Sequence, residues 1–158
     1  MELQGSRQAA GCRFALVVSR FNGDVTAGLL DGALETLEQA DVAADDITVV
    51  RVPGAFEIPL TAMRLAETGQ FDAVITVGCL IKGDTMHFEY IASACSQGIV
   101  QASTQTGVPI TFGVLTTLTE EQALARSLPG PENKGREAAL AAIEMATLLR
   151  QVEQEIAE

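Results

Sequence analysis

The sequence predicts an α/β fold in which one parallel sheet is covered by helices on both faces. Continuous apolar runs, typical of strands buried on both faces, occur at residues 13–19, 47–52, 71–78 and 109–115. Segments with helical periodicity follow each run, and the turns between them are short. Such alternation favours parallel strands joined by right-handed crossovers, and 158 residues fit one domain.

Composition excludes several functional classes. A net charge of −11 and a pI near 4.4 argue against a nucleic-acid partner, because phosphate backbones require a basic face. No apolar run approaches the ~20 residues of a membrane span, and residues 1–11 lack the apolar stretch of a signal peptide, so we expect a cytoplasmic protein. The hydrophobic content of 47% is high and indicates buried subunit interfaces.

The three cysteines, Cys12, Cys79 and Cys95, predict reduced thiols. Their number is odd and their spacing does not match a metal site. We therefore expect neither disulfides nor a metal centre.

The N-terminal half predicts two strand–helix units. Residues 1–12 show no periodicity and predict a flexible arm, or an edge strand if a neighbour supplies a sheet; residues 13–158 form the domain. The first strand ends near Phe21, whose ring is either packed or offers a stacking face. The second ends before Glu57, whose carboxylate either caps the following helix, predicted to reach about residue 68, or accepts hydrogen bonds from a ligand.

The third strand leads into residues 78–90, which hold the only histidine, His87, and one of two lysines, Lys82. His87 is either a packed side chain or a titratable base. Gly83–Thr85 either starts a helix or meets an anion there. Because ligands bind at the carboxyl ends of parallel strands, we expect these residues to gather with Phe21 and Glu57 on one rim.

Three helical segments complete the chain. The first runs from about residue 84 to 106 and precedes the fourth strand, which carries Phe112. A short helix spans about 119–126, and the last runs from about 132 to 157. The apolar stripe of this last helix is too long for a small sheet to cover, so we expect a partner subunit against it.

Five motifs resemble one known family, and they occur in its order and at its spacing. They are Ser-Arg-Phe-Asn (19–22), Val-Pro-Gly-Ala-Phe-Glu-Ile-Pro (52–59), Gly-Cys-Leu-Ile-Lys-Gly-Asp-Thr-Met-His-Phe-Glu-Tyr-Ile (78–91), Pro-Ile-Thr-Phe-Gly-Val-Leu-Thr (109–116) and Asn-Lys-Gly-Arg-Glu-Ala-Ala (133–139). Together they resemble the lumazine synthases of riboflavin biosynthesis over roughly residues 11–150.

The resemblance implies condensation of 5-amino-6-(ribitylamino)uracil with 3,4-dihydroxy-2-butanone 4-phosphate, with release of phosphate and water, and with no metal or organic cofactor. It implies a flavodoxin-like three-layer sandwich with a four-stranded parallel sheet. It also implies a homo-oligomer, either a pentamer or a sixty-subunit shell of pentamers, with active sites between adjacent subunits.

The resemblance further implies a role for each candidate residue. His87 would move protons, Phe21 would stack on the pyrimidine, and Phe112 would reach across from the neighbour. The ribityl chain and ring edge would meet Ala55, Phe56, Glu57, Leu80, Ile81 and Lys82. The phosphate would meet Gly83, Asp84, Thr85 and Arg126, with Lys134 and Glu137 nearby.

One segment departs from many shell-forming relatives. They carry a glycine-rich turn between the last two helices, where this chain has Leu128-Pro129-Gly130-Pro131-Glu132. A pentamer is therefore the safer expectation. A non-catalytic flavin- or lumazine-binding oligomer is the alternative, whereas a phospho-receiver domain is excluded because residues 19–22 lack the paired acids that hold Mg²⁺.

Overall fold

The computed structural model describes residues 1–157 and contains one four-stranded sheet in the order β2-β1-β3-β4. All three strand pairs are parallel, so the predicted architecture is confirmed. The strands are β1 (Phe14–Ser19), β2 (Ile47–Val52), β3 (Ala73–Ile81) and β4 (Ile110–Thr117). Because β1 pairs with β2 on one side and β3 on the other, the strand order reverses beside it, which creates a crevice at the carboxyl edge.

Helices cover both faces of the sheet. They are α1 (Gly23–Gln39), α2 (Ile58–Glu67), α3 (His87–Thr106), α4 (Glu120–Ala125) and α5 (Lys134–Glu155). Side chains of β1 alternate between the layers: Phe14, Leu16 and Val18 join the core under α1 and α5, while Ala15 and Val17 join the core under α2 and α3. Both faces are therefore buried, which is why the strand is a continuous apolar run.

Two element boundaries differ from the sequence prediction in the region of the site. β3 continues three residues past Gly78, because Leu80 and Ile81 pair with Thr116 and Thr117 of β4. α3 begins at His87, so residues 82–86 form a loop rather than a first helical turn. The segment predicted as a helix start is thus an exposed connection between a strand and a helix.

The N-terminal arm contains neither strand nor helix and contacts α5. The backbone N–H of Ser6 donates to Thr147 Oγ1 at 2.8 Å, and Gln151 Nε2 donates to the Gln4 carbonyl at 2.7 Å. The flexibility of the arm and the domain limits remain predictions, and Glu158 lies outside the described residues. Within residues 1–157, no helix combines the length and apolar character that crossing a membrane requires.

Candidate active site

Two separate pockets contain most of the predicted site residues. The first, here called the rim pocket, is a cavity of about 490 Å³ that includes Phe21, Asn22, Gly54, Ala55, Glu57, Leu80, Ile81, Gly83, Thr85 and His87. The second, here called the edge pocket, has about 280 Å³ and includes Phe112, Thr116, Arg126, Lys134 and Glu137. The two pockets share no lining residue, and Phe56, Lys82 and Asp84 line neither.

The Phe21 ring is exposed but its backbone is anchored. Its N–H donates to the Pro53 carbonyl at 3.2 Å, and the preceding N–H of Arg20 donates to the Val52 carbonyl at 2.8 Å. Asn22 adopts a left-handed conformation with φ of 59°, and its Nδ2 donates to the Cys79 carbonyl at 2.9 Å. With 68% of the Phe21 side chain exposed, an aromatic face is held above the pocket without being packed into the core.

Glu57 caps the turn that leads into α2. Its Oε2 accepts a hydrogen bond from the Gly54 N–H at 3.1 Å, at the start of the short 3-10 turn Ala55–Glu57 that leads into α2. The same carboxylate lines the rim pocket. Because each carboxylate oxygen can accept two hydrogen bonds, capping leaves acceptor capacity for ligand hydroxyls.

The loop at residues 82–86 presents polar groups to the rim pocket. The Lys82 N–H donates to the Thr117 carbonyl at 2.9 Å, which fixes the start of the loop to the end of β4. The Thr85 hydroxyl lies 3.4 Å from the His87 N–H, too long for a strong cap. His87 is the first residue of α3 and is exposed, so the helix N-terminus opens toward the pocket and favours an anion there.

The edge pocket brings two cations together. Arg126 follows α4 and Lys134 begins α5, and the Lys134 N–H donates to the Arg126 carbonyl at 3.0 Å. The Arg126 guanidinium also donates to the Gln122 carbonyl at 3.0 Å. Lys134 Nζ lies 2.9 Å from Glu137 Oε2, an ion pair that an incoming anion must compete with.

The cysteines are free and buried. Burial raises the pKa of Cys79 and of Cys95 to about 11, and it also raises the pKa of Cys12. The thiols therefore stay protonated near neutral pH and are poor nucleophiles, although Cys79 borders the rim pocket. Across residues 1–157 no group of three or more His, Cys, Asp or Glu side chains is arranged to hold a metal ion.

The fold and the rim pocket define a three-layer α/β protein with a candidate small-molecule site at the carboxyl edge of its parallel sheet. The chain belongs to the 6,7-dimethyl-8-ribityllumazine synthase family, whose model matches residues 11–150. A relative from Salinibacter ruber named 6,7-dimethyl-8-ribityllumazine synthase is 52% identical over 151 residues, covering 96% of this chain and 97% of the relative. The resemblance found in the sequence is thus confirmed.

Sequence reasoning missed the roles of two asparagines, one in the rim pocket and one at the start of α5. Asn22 lines the rim pocket, and Asn133 caps α5 through a hydrogen bond from the Arg136 N–H at 3.0 Å. The available signal was their residue type, because asparagine tolerates the left-handed region and caps helices. The partner of Asn22, the Cys79 carbonyl, is 57 residues away and could not be read from the sequence, whereas the cap that Asn133 forms is local.

Proposed function

We propose that this chain condenses 5-amino-6-(D-ribitylamino)uracil with 3,4-dihydroxy-2-butanone 4-phosphate, giving 6,7-dimethyl-8-ribityllumazine with release of phosphate and water. Family membership makes it a transferase of riboflavin biosynthesis. The observation that carries the proposal is the 52% identity to a named synthase over 96% of the chain. The proposed reaction needs no metal or organic cofactor.

The rim pocket is the proposed site for the pyrimidine. Its ring would stack on Phe21, which is anchored yet exposed. Its ribityl hydroxyls and ring edge would bond to the Glu57 carboxylate and to backbone groups at 55–56 and 80–82. The pocket volume of about 490 Å³ is within the range of small-molecule sites.

The phosphate substrate is proposed to lie between the loop at Gly83, Asp84 and Thr85 and the cations Arg126 and Lys134. The backbone N–H groups of the loop and a bidentate guanidinium are the donors that phosphate requires. Within one chain, Gly83 and Thr85 line the rim pocket, whereas Arg126 and Lys134 line the edge pocket. A complete site therefore calls for the rim pocket of one subunit to face the edge pocket of its neighbour, with Phe112 of that neighbour closing it.

His87 is the proposed catalytic residue. Imine formation, phosphate elimination and ring closure each move a proton, and an imidazole can both accept and donate one. His87 lines the rim pocket together with Gly83 and Thr85 of the proposed phosphate loop, which supports this role. Such a group contributes about 10²- to 10⁴-fold in rate, and orientation of the two substrates supplies much of the rest.

The proposed assembly is a cytoplasmic homopentamer, with no nucleic-acid or membrane partner. Large apolar side chains are exposed on the α2 and α3 face, including Leu60, Tyr90 and Val100. Exposed apolar side chains of this size support a protein interface on this face. The Leu128–Glu132 segment favours a pentamer over a sixty-subunit shell.

The proposal is tested by mixing purified protein with both substrates and following lumazine fluorescence together with phosphate release. We expect both to rise faster than the uncatalysed background. His87→Ala should lower kcat by about 10² or more while pyrimidine binding changes less than about threefold. No acceleration, with the pyrimidine or riboflavin still bound, would overturn the synthase proposal in favour of a non-catalytic flavin- or lumazine-binding oligomer.

A further inference from the structure

Asn133 is an enclosed hydrogen-bonding hub between α4, α5 and α1. Only 1% of it is exposed. Its Nδ2 lies 3.1 Å from the Gly28 and Ser127 carbonyls and 3.0 Å from the Leu128 carbonyl, while its Oδ1 accepts from the Arg136 N–H at 3.0 Å. Since an amide has only two hydrogens, three carbonyls share them, and the side chain has no free donor for another role.

The α1 helix is shaped to receive this side chain. A Cβ on Gly32 would overlap the Asn133 carboxamide, and a Cβ on Gly28 would overlap the Ser127 carbonyl. Glycine within a helix ordinarily costs about 0.5–1 kcal/mol relative to alanine. Two glycines on the face that meets Asn133 are therefore explained by the close approach of α1 to the turn.

The hub fills the turn that joins the two edge-pocket cations. The two ends of the turn are joined by a hydrogen bond from the Lys134 N–H to the Arg126 carbonyl, at 3.0 Å. Within the turn, the Asn133 N–H donates to the Gly130 carbonyl at 3.2 Å. Asn133 lines a separate groove between α1 and the turn, together with Gly28 and Gly32. It does not line the edge pocket. Any effect on an anion in the edge pocket must therefore pass through the backbone.

We propose that Asn133 is a positioning residue that sets the spacing of Arg126 and Lys134 and thereby the affinity for the phosphorylated substrate. This rests on the proposed function, which places phosphate at those two cations. Both side chains are long and reach the pocket from the ends of different helices, so their relative position depends on the turn between them. Donors that bind one phosphate together require a fixed geometry, and displacing one of them by about 1 Å severely weakens the binding.

Two variants disturb the hub from opposite sides. Asn133→Ser retains an oxygen to cap α5 but replaces the two amide hydrogens by one hydroxyl hydrogen, so at least two of the three carbonyls lose their donor. Gly32→Ala does not change Asn133 itself, but the added methyl group on α1 crowds its carboxamide. We expect each to raise KM for the butanone phosphate about tenfold, with kcat and KM for the pyrimidine within about twofold of wild type. Inorganic phosphate should bind each variant about tenfold more weakly, measured by calorimetric titration.

Leu37→Ala is the matched control, because Leu37 is a fully buried α1 residue outside the turn and its loss only lowers stability. Measurements are made at a temperature where every compared variant is folded; if Asn133→Ser does not fold, Gly32→Ala decides. Wild-type phosphate affinity in Gly32→Ala and in folded Asn133→Ser, equal weakening in Leu37→Ala, or no phosphate binding by the wild type would overturn the proposal. A wild type that binds phosphate but forms no lumazine would overturn the proposed reaction alone.

Discussion

Asn22 shows how one side chain fixes the geometry of the rim pocket. It has φ of 59° and bonds to the Cys79 carbonyl, which fastens the β1–α1 turn to β3 directly beside the Phe21 ring. Substitution can separate the effect of the backbone conformation from that of the side-chain hydrogen bond, because glycine adopts positive φ without strain but lacks the side-chain amide. Alanine lacks both advantages.

We predict that Asn22→Gly and Asn22→Ala both raise KM for the pyrimidine about fivefold, since the hydrogen bond contributes roughly 1 kcal/mol to holding the turn. Asn22→Ala should in addition be less stable than Asn22→Gly by about 1–2 kcal/mol, measured by urea denaturation. A wild-type KM in Asn22→Gly would show that the amide does not position Phe21. KM for the butanone phosphate serves as the internal control.

The sequence predicts which motif residues gather at the carboxyl edge of the sheet, but it does not predict contacts between residues that are distant in the chain. Phe21, Glu57 and His87 were identified from motif and strand position, and all three line the rim pocket. Asn22 bonds 57 residues away, and Asn133 bonds 105 residues away. No local pattern predicts such pairings, because they arise only when the helices and strands dock.

At the scale of elements, the approach of α5 to α1 depends on Gly135. A Cβ on Gly135 would overlap the Leu29 carbonyl and crowd the Leu29 backbone. Gly135 lies in the first turn of α5, immediately after Lys134. The same contact therefore holds the two helices together and places the start of α5 beside the edge pocket.

We predict that Gly135→Ala lowers the free energy of unfolding by about 1–3 kcal/mol, because overpacking forces the helices apart. Gly23→Ala is the control: Gly23 is the first residue of α1 and a Cβ there meets nothing within 4 Å. That variant should be unchanged or more stable by up to about 1 kcal/mol. Urea denaturation followed by circular dichroism measures both, and equal stability of the two variants would contradict the close-contact argument.

Element type and order followed from the sequence, whereas two boundaries near the site did not. The prediction ended β3 at Gly78, yet the apolar run continues to Ile81 and β4 supplies hydrogen-bonding partners as far as Thr117. Gly83–Thr85 has the composition of a helix start, but those residues remain in a loop and α3 begins at His87. Strand pairing and loop geometry are set by neighbouring elements, so intrinsic propensity alone does not fix such boundaries.

At the scale of the whole molecule, the separation of the two pockets carries the assembly proposal. His87 lines one pocket and Arg126 the other, and no residue lines both. In the proposed ring, a heterologous interface repeated from subunit to subunit would join the rim pocket of each chain to the edge pocket of the next. When one chain carries a defective rim pocket and another chain carries a defective edge pocket, some interfaces of a mixed ring would then combine two intact pockets.

We predict that co-expressing His87→Ala chains with Arg126→Ala chains restores activity that neither variant has alone. In randomly mixed rings made from equal amounts, about a quarter of the interfaces combine an intact rim pocket with an intact edge pocket, so about a quarter of wild-type turnover should return. Co-expression of His87→Ala with Glu57→Ala is the control. Both defects then lie in the rim pocket, so every interface contains a defective rim pocket. Turnover should therefore stay at the level of the single variants. Two different affinity tags, purified in succession, isolate the mixed assemblies. If mixed assemblies of the first pair recover no more turnover than those of the second, the site is complete within one chain and the proposed interface between subunits is wrong.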